Sequence, residues 1–255
     1  MKKILFFLAL SAALPLSAED AEALVRASRN RVNADTVSTR ARMVIRARDG
    51  SVTERLLDQY AKDGPNGSRA VIVFQQPAGV RGTRFLTMQN ASGGNDQWIF
   101  LPSLGKVRRI AASEGSGSFM GTDFSYDDIA STSRDTDLDV HRLLREEALN
   151  GRACYVIEST PKDSGYQYSR MIQWIDRETN VVYKLELFNR RNVQIKTIEM
   201  GSYRDVQGRL TVHSTTVSTL AEGTSTELVV EIIRYDDAIP DSVFTTAYLE
   251  TGRAR

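Results

Sequence analysis

The side chains that could carry out catalysis are few in this chain. It contains two histidines, His141 and His213, and one cysteine, Cys154. A serine or cysteine triad would need one of these histidines beside Cys154 or beside a serine that no Gly-x-Ser-x-Gly turn marks. The same scarcity argues against a metal site built from histidine and cysteine. The sequence therefore predicts a protein that is not an enzyme and that uses no cofactor or metal.

Three carboxylates lie close together in the sequence, at Asp123, Asp127 and Asp128. Paired carboxylates can act as an acid and a base when their environments separate their pKa values. A solvated loop, or contacts with Arg108 and Arg109, explains them more simply. We therefore assign these carboxylates no catalytic role.

The bulky apolar residues around these carboxylates are more informative. An apolar run at 98–102 and a basic strand at 106–110 precede a Gly- and Ser-rich loop. Its large side chains are costly to leave in water, while its glycines disfavour a rigid element. The loop at 113–133 is therefore predicted to be a mobile apolar lid over a cavity. The alternative is that its aromatic residues are core that closes one end of a barrel.

The N-terminal residues predict export. Lys2 and Lys3 form a charged region, residues 4–14 an apolar region, and residues 16–18 a small-residue cleavage site. These are the three parts of a secretory signal peptide, and the apolar part is too short for a permanent anchor. We expect cleavage after Ala18, which leaves a single soluble domain, residues 19–255, that is exported.

Composition narrows the choice of partners. The formal net charge of the chain is +1. This balance argues against a nucleic-acid partner, because phosphate binding needs a basic excess on one face. A single cysteine cannot form an internal disulfide bond, so Cys154 is expected to be a small buried hydrophobe.

Most of the remaining chain has the two-residue alternation of β-strands. Residues 20–32 are the main exception and predict a helix, whereas 137–148 fits a strand or a helix equally well. About eleven consecutive antiparallel strands predict a mainly β fold: a large curved antiparallel sheet or incomplete barrel with an N-terminal helix and a helical or loop lid. The other strand-like segments are 36–46, 52–62, 70–75, 83–89, 96–101, 105–112, 153–159, 167–176, 181–188, 193–203, 209–219 and 226–235.

These strands have one apolar face and one wet face. Met43 and Ile45 alternate with Arg42 in the first strand, and Tyr183 and Leu185 alternate with charged residues in a later one. A single antiparallel sheet shows this pattern when only one face is covered.

The chain offers little material for that cover. The candidates are the helix at 20–32, the loop at 113–133 and the C-terminal segment from Asp241 to Leu249. Three thin covers over so large a sheet are expected to leave a cavity.

Strand order and three short motifs resemble the LolA-like outer-membrane lipoprotein-sorting proteins, which are bacterial periplasmic carriers of lipidated proteins. The motifs are Gly82–Leu86, Asp96–Trp98 and Asp127–Ile129, and the likeness is to the longer branch of this family. It implies an incomplete barrel whose concave face, lidded by helices and loops, accepts acyl chains. In LolA a buried arginine holds the lid shut, and Arg40 and Arg42 are the positional candidates here.

The resemblance also implies which residues bind lipid. They belong to a central strand, to the covering loop and to the apolar faces of two other strands. The expected ligand-binding residues are Trp98, Phe100, Leu101, Phe119, Met120, Phe124, Tyr126, Met43, Ile45, Tyr183 and Leu185.

The implied function is a periplasmic carrier that binds the acyl chains of lipoproteins or lipids and delivers them towards the outer membrane. Its candidate membrane partners are an inner-membrane exporter or release complex and an outer-membrane acceptor. The alternative is an envelope sensor or regulator of lipid or lipoprotein with the same fold, as in RseB-like proteins. A third hypothesis, from another class, is an enzyme that acts on lipid or glycan.

Overall fold

Antiparallel strands make up most of the protein. The computed structural model describes residues 18–65, 67–90, 94–130 and 134–254. Thirteen strands form one sheet, and two short strands, β12 and β13, form a separate ladder. The strands are β1 (Thr36–Arg46), β2 (Val52–Lys62), β3 (Arg69–Gln76), β4 (Arg84–Gln89), β5 (Asn95–Leu101), β6 (Lys106–Arg109), β7 (Asp139–Leu149), β8 (Arg152–Pro161), β9 (Arg170–Asp176), β10 (Val182–Phe188), β11 (Gln194–Gly201), β12 (Arg204–Val206), β13 (Arg209–Thr211), β14 (Ser214–Thr219) and β15 (Thr224–Tyr235).

Helices are few and short. They are α1 (Ala18–Asn30), α2 (Tyr126–Ala130) and α3 (Thr246–Thr251). Within the described part of the chain, no helix has the length and apolar character needed to cross a membrane. The predicted signal peptide, residues 1–18, lies outside the described residues except for Ala18, where α1 begins.

The sheet consists of two meanders joined near its centre. The strand order is β6-β5-β4-β3-β2-β1-β15-β14-β11-β10-β9-β8-β7. β1 pairs with β15, and Met43 lies opposite Leu228 in that register. β6 and β7 are consecutive in the sequence but lie at opposite edges of the sheet. The barrel is therefore incomplete, and the segment between β6 and β7 must run from one edge to the other.

The sheet is strongly curved. Ile72 of β3 and Leu185 of β10 line one cavity of about 350 Å³, although six strand spacings separate β3 from β10 in the sheet order. A flat sheet with about 4.8 Å per spacing would hold them about 29 Å apart. The face that carries Ile72 and Leu185 is therefore the concave face.

The concave face of the N-terminal meander carries the largest core cluster. Buried side chains of β1 to β5 pack there against the segment that follows β6. The concave face of the C-terminal meander is partly covered by α1. Ala21 and Val25, one helical turn apart and completely buried, pack against Ile157 and Ile175.

These observations confirm the predicted fold class and resolve the segments that the sequence left open. The segment at 137–148 is a strand, β7, and the helix predicted over 20–32 is α1, placed two residues earlier. The segment at 105–112 was predicted as a longer strand, but β6 contains only Lys106–Arg109. The strand predicted over 209–219 is divided at residues 212–213, because its first part pairs with β12 and leaves the main sheet.

The C-terminal segment covers the sheet, but not the concave face. Val243, Phe244 and Leu249 are buried against Val71 and Leu86, which alternate with concave-face residues of β3 and β4. α3 and the turn before it therefore close the convex face of β3 to β6. This corrects the prediction that the segment from Asp241 to Leu249 helps to roof the cavity.

Candidate functional site

The main candidate site is the cavity on the concave face. Its volume of about 350 Å³ falls at the small end of the range of roughly 300–1,000 Å³ that is typical of ligand sites. Strands of both meanders form its walls, and α1, α2 and the segment before β9 form its cover. The lining residues are Ser28, Arg29, Gln59, Ile72, Phe124, Asp128, Ile129, Arg134, Tyr166, Tyr168, Met171, Gln173, Val182, Leu185, Leu187, Ile198, Met200, Thr215 and Leu228.

Strand parity makes the deep wall apolar. Leu185 and Leu187 of β10, and Ile198 and Met200 of β11, all line the cavity. Residues two apart in a strand share a face, whereas an intervening residue such as Glu186 points to the other side. Apolar side chains therefore cover the wall, and Lys184, Glu186 and Glu199 lie on the convex face.

The first half of the lid loop fills the N-terminal side of the concave face. Phe119 has no exposed surface, and its ring centroid lies 5.9 Å from that of Phe74, 5.0 Å from that of Phe85 and 5.5 Å from that of Tyr126. Tilted and edge-on aromatic contacts at these distances are favourable beyond their buried area. Phe119 is thus core, whereas Phe124 of the same loop lines the cavity.

Two polar contacts hold this half of the loop against the sheet. The hydroxyl of Thr226 donates to the Asp123 carboxylate at 2.7 Å and accepts from the Asp123 backbone N–H at 3.0 Å. Arg55 donates from Nη1 to the backbone carbonyl of Met120 at 2.7 Å. The tip of the loop is therefore fastened to β15 and to β2.

Arg55 bonds the tip of the loop, whereas the positional candidates Arg40 and Arg42 pair with carboxylates of β2. Arg40 donates from Nε to Asp58 Oδ1 at 2.7 Å, and Arg42 lies 3.4 Å from a Glu54 carboxylate oxygen. Ala41 and Met43 belong to the concave core, so alternation places Arg40 and Arg42 on the convex face.

The second half of the loop is fastened by a buried ionic contact. Lys196 Nζ lies 2.8 Å from Asp128 Oδ2, with 14% and 6% of the two side chains exposed. Asp128 Oδ1 also accepts from the Tyr168 hydroxyl at 2.7 Å and from Gln167 Nε2 at 3.1 Å. Ser125 and Asp128 cap α2 reciprocally, each side chain accepting from the other's backbone N–H. We call Asp128, Lys196 and Tyr168 the latch.

The latch changes the acidity of its tyrosine. Burial of Tyr168 raises the pKa of its hydroxyl, and the nearby Asp128 carboxylate raises it further. The tyrosine therefore remains a hydrogen-bond donor to Asp128 across the physiological pH range.

The three carboxylates of the loop do not form an acid–base pair, because each has a different partner. Asp123 bonds to β15 and Asp128 belongs to the latch, while Asp127 accepts from Gln97 Nε2 at 3.3 Å. Burial raises the pKa of Asp127. A Cβ on Gly115 would lie 2.3 Å from Asp127 Oδ1, so any larger residue at position 115 would displace the Asp127 carboxylate.

Arg108 and Arg109 of the basic strand pair with other carboxylates and not with the three aspartates of the loop. Arg108 donates to Glu114 at 2.7 Å, and Arg109 pairs with Asp96.

The structure distributes the expected ligand-binding residues over three places. Phe124 and Leu185 line the cavity. Six others belong to the concave core beside it, and three pack on the convex face. The core residues are Met43, Ile45, Leu101, Phe119, Met120 and Tyr126; the convex-face residues are Trp98, Phe100 and Tyr183.

Trp98 and Phe100 do not reach the cavity. Ile99 between them is buried in the concave core, so strand alternation sends both of its neighbours to the convex face. There they pack with Phe244 beneath the C-terminal segment. Trp98 and Phe100 are therefore not among the residues that line the cavity.

Tyr183 is displaced by a local irregularity of β10. The register with β9 shifts between Val182 and Lys184. As a result, Tyr183 packs with the convex cluster around Trp174, and Lys184 lies over the Trp174 ring at 4.7 Å. A β-bulge of this kind re-aims side chains and gives no clear signal in a strand pattern.

The sequence interpretation missed the polar rim of the cavity. Ser28 and Arg29 lie on the helix that was predicted as cover, yet neither was selected as a ligand contact. Leu187 lies two positions after Leu185 in β10, so strand parity does carry a signal for that residue. The pairing of Lys196 with Asp128 gave none, because 68 positions separate the two residues.

A buried polar network lies beside the cavity on the concave face. His141 Nδ1 lies 2.8 Å from Ser159 Oγ, and Nε2 lies 3.1 Å from the Thr136 carbonyl oxygen. Gln173, which lines the cavity, donates to Ser159 Oγ at 3.0 Å. Ser159 is only 2% exposed and His141 4%. Both histidine nitrogens are occupied and the serine is closed off, so this network supports the wall and does not present a nucleophile.

Comparisons with known proteins agree with this architecture. A family model described as "Uncharacterized protein" matches residues 66–251, well over half of the chain. Among curated protein sequences, none matches. An outer membrane lipoprotein-sorting protein domain from Vibrio parahaemolyticus is 25% identical with a TM-score of 0.86, covering 92% of this chain and 100% of that one.

Two further solved structures are similar. A DUF1329 family protein from Desulfovibrio piger is 29% identical with a TM-score of 0.86, covering 91% of this chain and 98% of its own. A LolA superfamily protein from Nitrosomonas europaea is 21% identical with a TM-score of 0.73, covering 89% and 98%. The resemblance inferred from the sequence is thereby confirmed. The chain belongs to the family of the matching model and has the LolA-like fold of the outer-membrane lipoprotein-sorting proteins.

Proposed function

We propose that the protein is a periplasmic carrier that binds acyl chains of lipoproteins or lipids and delivers them towards the outer membrane. The observation that supports this most directly is the apolar cavity, which both meanders of an open sheet enclose beneath a separate cover. The similarity to an outer-membrane lipoprotein-sorting domain supports it further. In this proposal residues 1–18 are a removable signal peptide and the function involves no enzymatic turnover.

Cavity size and chemistry suit an acyl chain. Each buried CH₂ stabilises the bound state by about 0.8 kcal/mol. The space of about 350 Å³ is narrow, so the closed form suits one chain better than several. A cargo with more chains would require the cover to move outward.

The latch is the part of the cover best suited to opening. Phe119 and its neighbours lose apolar burial if they move, whereas the groups of the latch can exchange their hydrogen bonds for water. An acyl chain enters or leaves when α2 separates from Lys196 and Tyr168. An inner-membrane exporter or release complex would load the carrier, and an outer-membrane acceptor would empty it.

Binding can be tested by titration with an acyl-chain fluorophore and competition with a lipopeptide. We expect saturable binding to the wild type and a loss of at least tenfold in affinity for Leu185→Trp, which fills the cavity. Ile232→Trp is the matched control, because Ile232 is 53% exposed. Absence of saturable binding to the folded wild-type protein would refute the proposal.

A second measurement separates the carrier from the envelope sensor, which also requires binding. A carrier should extract an acylated probe from donor vesicles and increase its transfer to acceptor vesicles in proportion to protein concentration. Binding with no acceleration of transfer would favour the sensor.

A further inference from the structure

The cavity has a polar opening. A cleft of about 550 Å³ lies between α1, β3 and the segment that precedes β7. Arg29, Gln59 and Arg134 line both the cleft and the apolar cavity. A molecule that occupied both spaces would place its apolar part among the leucines and its polar end beside these three residues.

Four arginines line the cleft, and three of them already have acidic partners. Arg26 pairs with Glu22 on the same helix. Arg69 lies 3.3 Å from Asp241. The other two are Arg29 and Arg134.

Arg134 is held most firmly. Its Nη2 lies 2.7 Å from Asp139 Oδ1, and the Asp139 side chain is completely buried. Its guanidinium also lies 4.0 Å from the centroid of the Tyr166 ring. Arg134 is thus held in the wall of the opening by its contacts with Asp139 and Tyr166.

Arg29 differs from the other three. Among the described residues it has neither a hydrogen bond nor an ion pair. Its side chain reaches the water of the cleft, yet surrounding protein and the neighbouring charge of Arg134 lower the pKa of its guanidinium. The nearby carboxylates that raise the pKa of Arg29 have other partners. Asp139 accepts from Arg134, and Asp135 accepts from Gln89 at 3.1 Å.

We infer that Arg29 binds the anionic head group, a phosphate or carboxylate, of an amphiphile whose acyl chain lies in the cavity. This deepens the proposed function and rests on it. Guanidinium groups bind such oxyanions in bidentate geometry, and a cation in partly dehydrated surroundings gains more from an anion than one in open water. The other three arginines already pair with carboxylates, so they do not compete with Arg29 for the ligand.

Two probes with the same chain test the inference. Dodecyl phosphate and dodecanol are each titrated, below their aggregation concentrations, against the protein loaded with an uncharged acyl fluorophore. We expect the wild type to bind dodecyl phosphate about tenfold more tightly than dodecanol. Arg29→Gln should abolish that preference without changing dodecanol affinity, and Arg29→Lys should retain part of it.

Arg26→Gln is the matched control, because it removes the same charge from the same helix and the same cleft. It should leave the preference intact. Inorganic phosphate at equal concentration should displace nothing, because it has no chain to occupy the cavity. The inference is overturned if Arg29→Gln keeps the preference, if Arg26→Gln loses it equally, or if phosphate alone displaces the fluorophore. Failure of both probes to bind the wild type would refute the proposed function together with this inference.

Discussion

The two halves of the concave face have the same strand pattern, but one is filled by a packed core and the other borders a cavity. In the N-terminal meander, the apolar side chains are covered by Phe119 and packed into a continuous core. In the C-terminal meander, Leu185, Leu187 and Met200 face an open cavity. Alternation determines that a face must be covered, and the cover determines whether the space is filled.

Chain connectivity explains the difference. The segment between β6 and β7 crosses the concave face from the β6 edge, and its largest residues come first. Phe119 therefore covers the N-terminal meander, and Asp128 of α2 reaches Lys196 in the C-terminal meander. α1 covers β8 and β9 with the small residues Ala21 and Val25. Substitutions in the filled half should therefore cost stability, and substitutions around the open half should change ligand exchange.

The largest effect is expected for Phe119→Ala. Truncating a fully buried phenylalanine leaves a cavity in the core and costs about 3–5 kcal/mol of unfolding free energy. Chemical denaturation measures this, with Leu104→Ala as a control because Leu104 is 63% exposed. A loss below about 1 kcal/mol would show that Phe119 belongs to a removable lid and would erase the contrast between the two halves.

A smaller effect, on ligand release, is expected for Lys196→Met. It removes the ammonium group that pairs with Asp128, so α2 should open more often and ligand dissociation should accelerate by about tenfold, or about 1.4 kcal/mol. Hydrogen exchange of residues 126–130 should rise in parallel.

The control for the latch is Lys184→Met. Lys184 pairs with Glu186 at 2.7 Å, but on the convex face. It should leave the release rate unchanged. Equal acceleration by both variants would mean that loss of charge, and not the latch, controls release.

A weaker, pH-dependent effect is expected for Asp127→Asn. Burial raises the pKa of Asp127 in the folded protein, so the folded state binds a proton more readily than the unfolded state. The stability linked to that proton is present at low pH and is lost as pH rises through the folded-state pKa. Asp127→Asn should therefore increase the free energy of unfolding at pH 8 by up to about 1 kcal/mol relative to wild type. At pH 4 the increase should be smaller. Urea denaturation at both pH values would contradict this if the gain decreased with rising pH.

The smallest effect is expected for Trp98→Phe. Because Trp98 lies on the convex face with Phe244, acyl-chain affinity should be unchanged, and so should the ligand response of the tryptophan emission. Trp174 lies in the other convex cluster and should be equally silent. A ligand-dependent shift that disappears in Trp98→Phe would mean that ligand occupies the convex face.

Much of the fold, but less of the site, could be predicted from the sequence. Alternation identified the strands and the apolar faces that contain Met43 and Leu185, because side-chain parity is a local property of a strand. Which face borders the cavity is not a local property, so the sequence could not show that Trp98 and Phe100 lie on the convex face. The position of Tyr183 could not be predicted for a further reason, because a β-bulge changes the side-chain parity within a strand.

The sequence by itself determined a mainly antiparallel β fold with one apolar face, an N-terminal helix and a loop rich in aromatic residues. These follow from residue periodicity and from the cost of exposing apolar side chains. Only the tertiary structure decided that β6 and β7 lie at opposite edges, so that the loop between them must cross the concave face. It also decided that Lys196 meets Asp128 and that Arg29 stands at the opening of the cavity. Such contacts depend on sheet curvature, which joins residues far apart in the chain and leaves no periodic trace in the sequence.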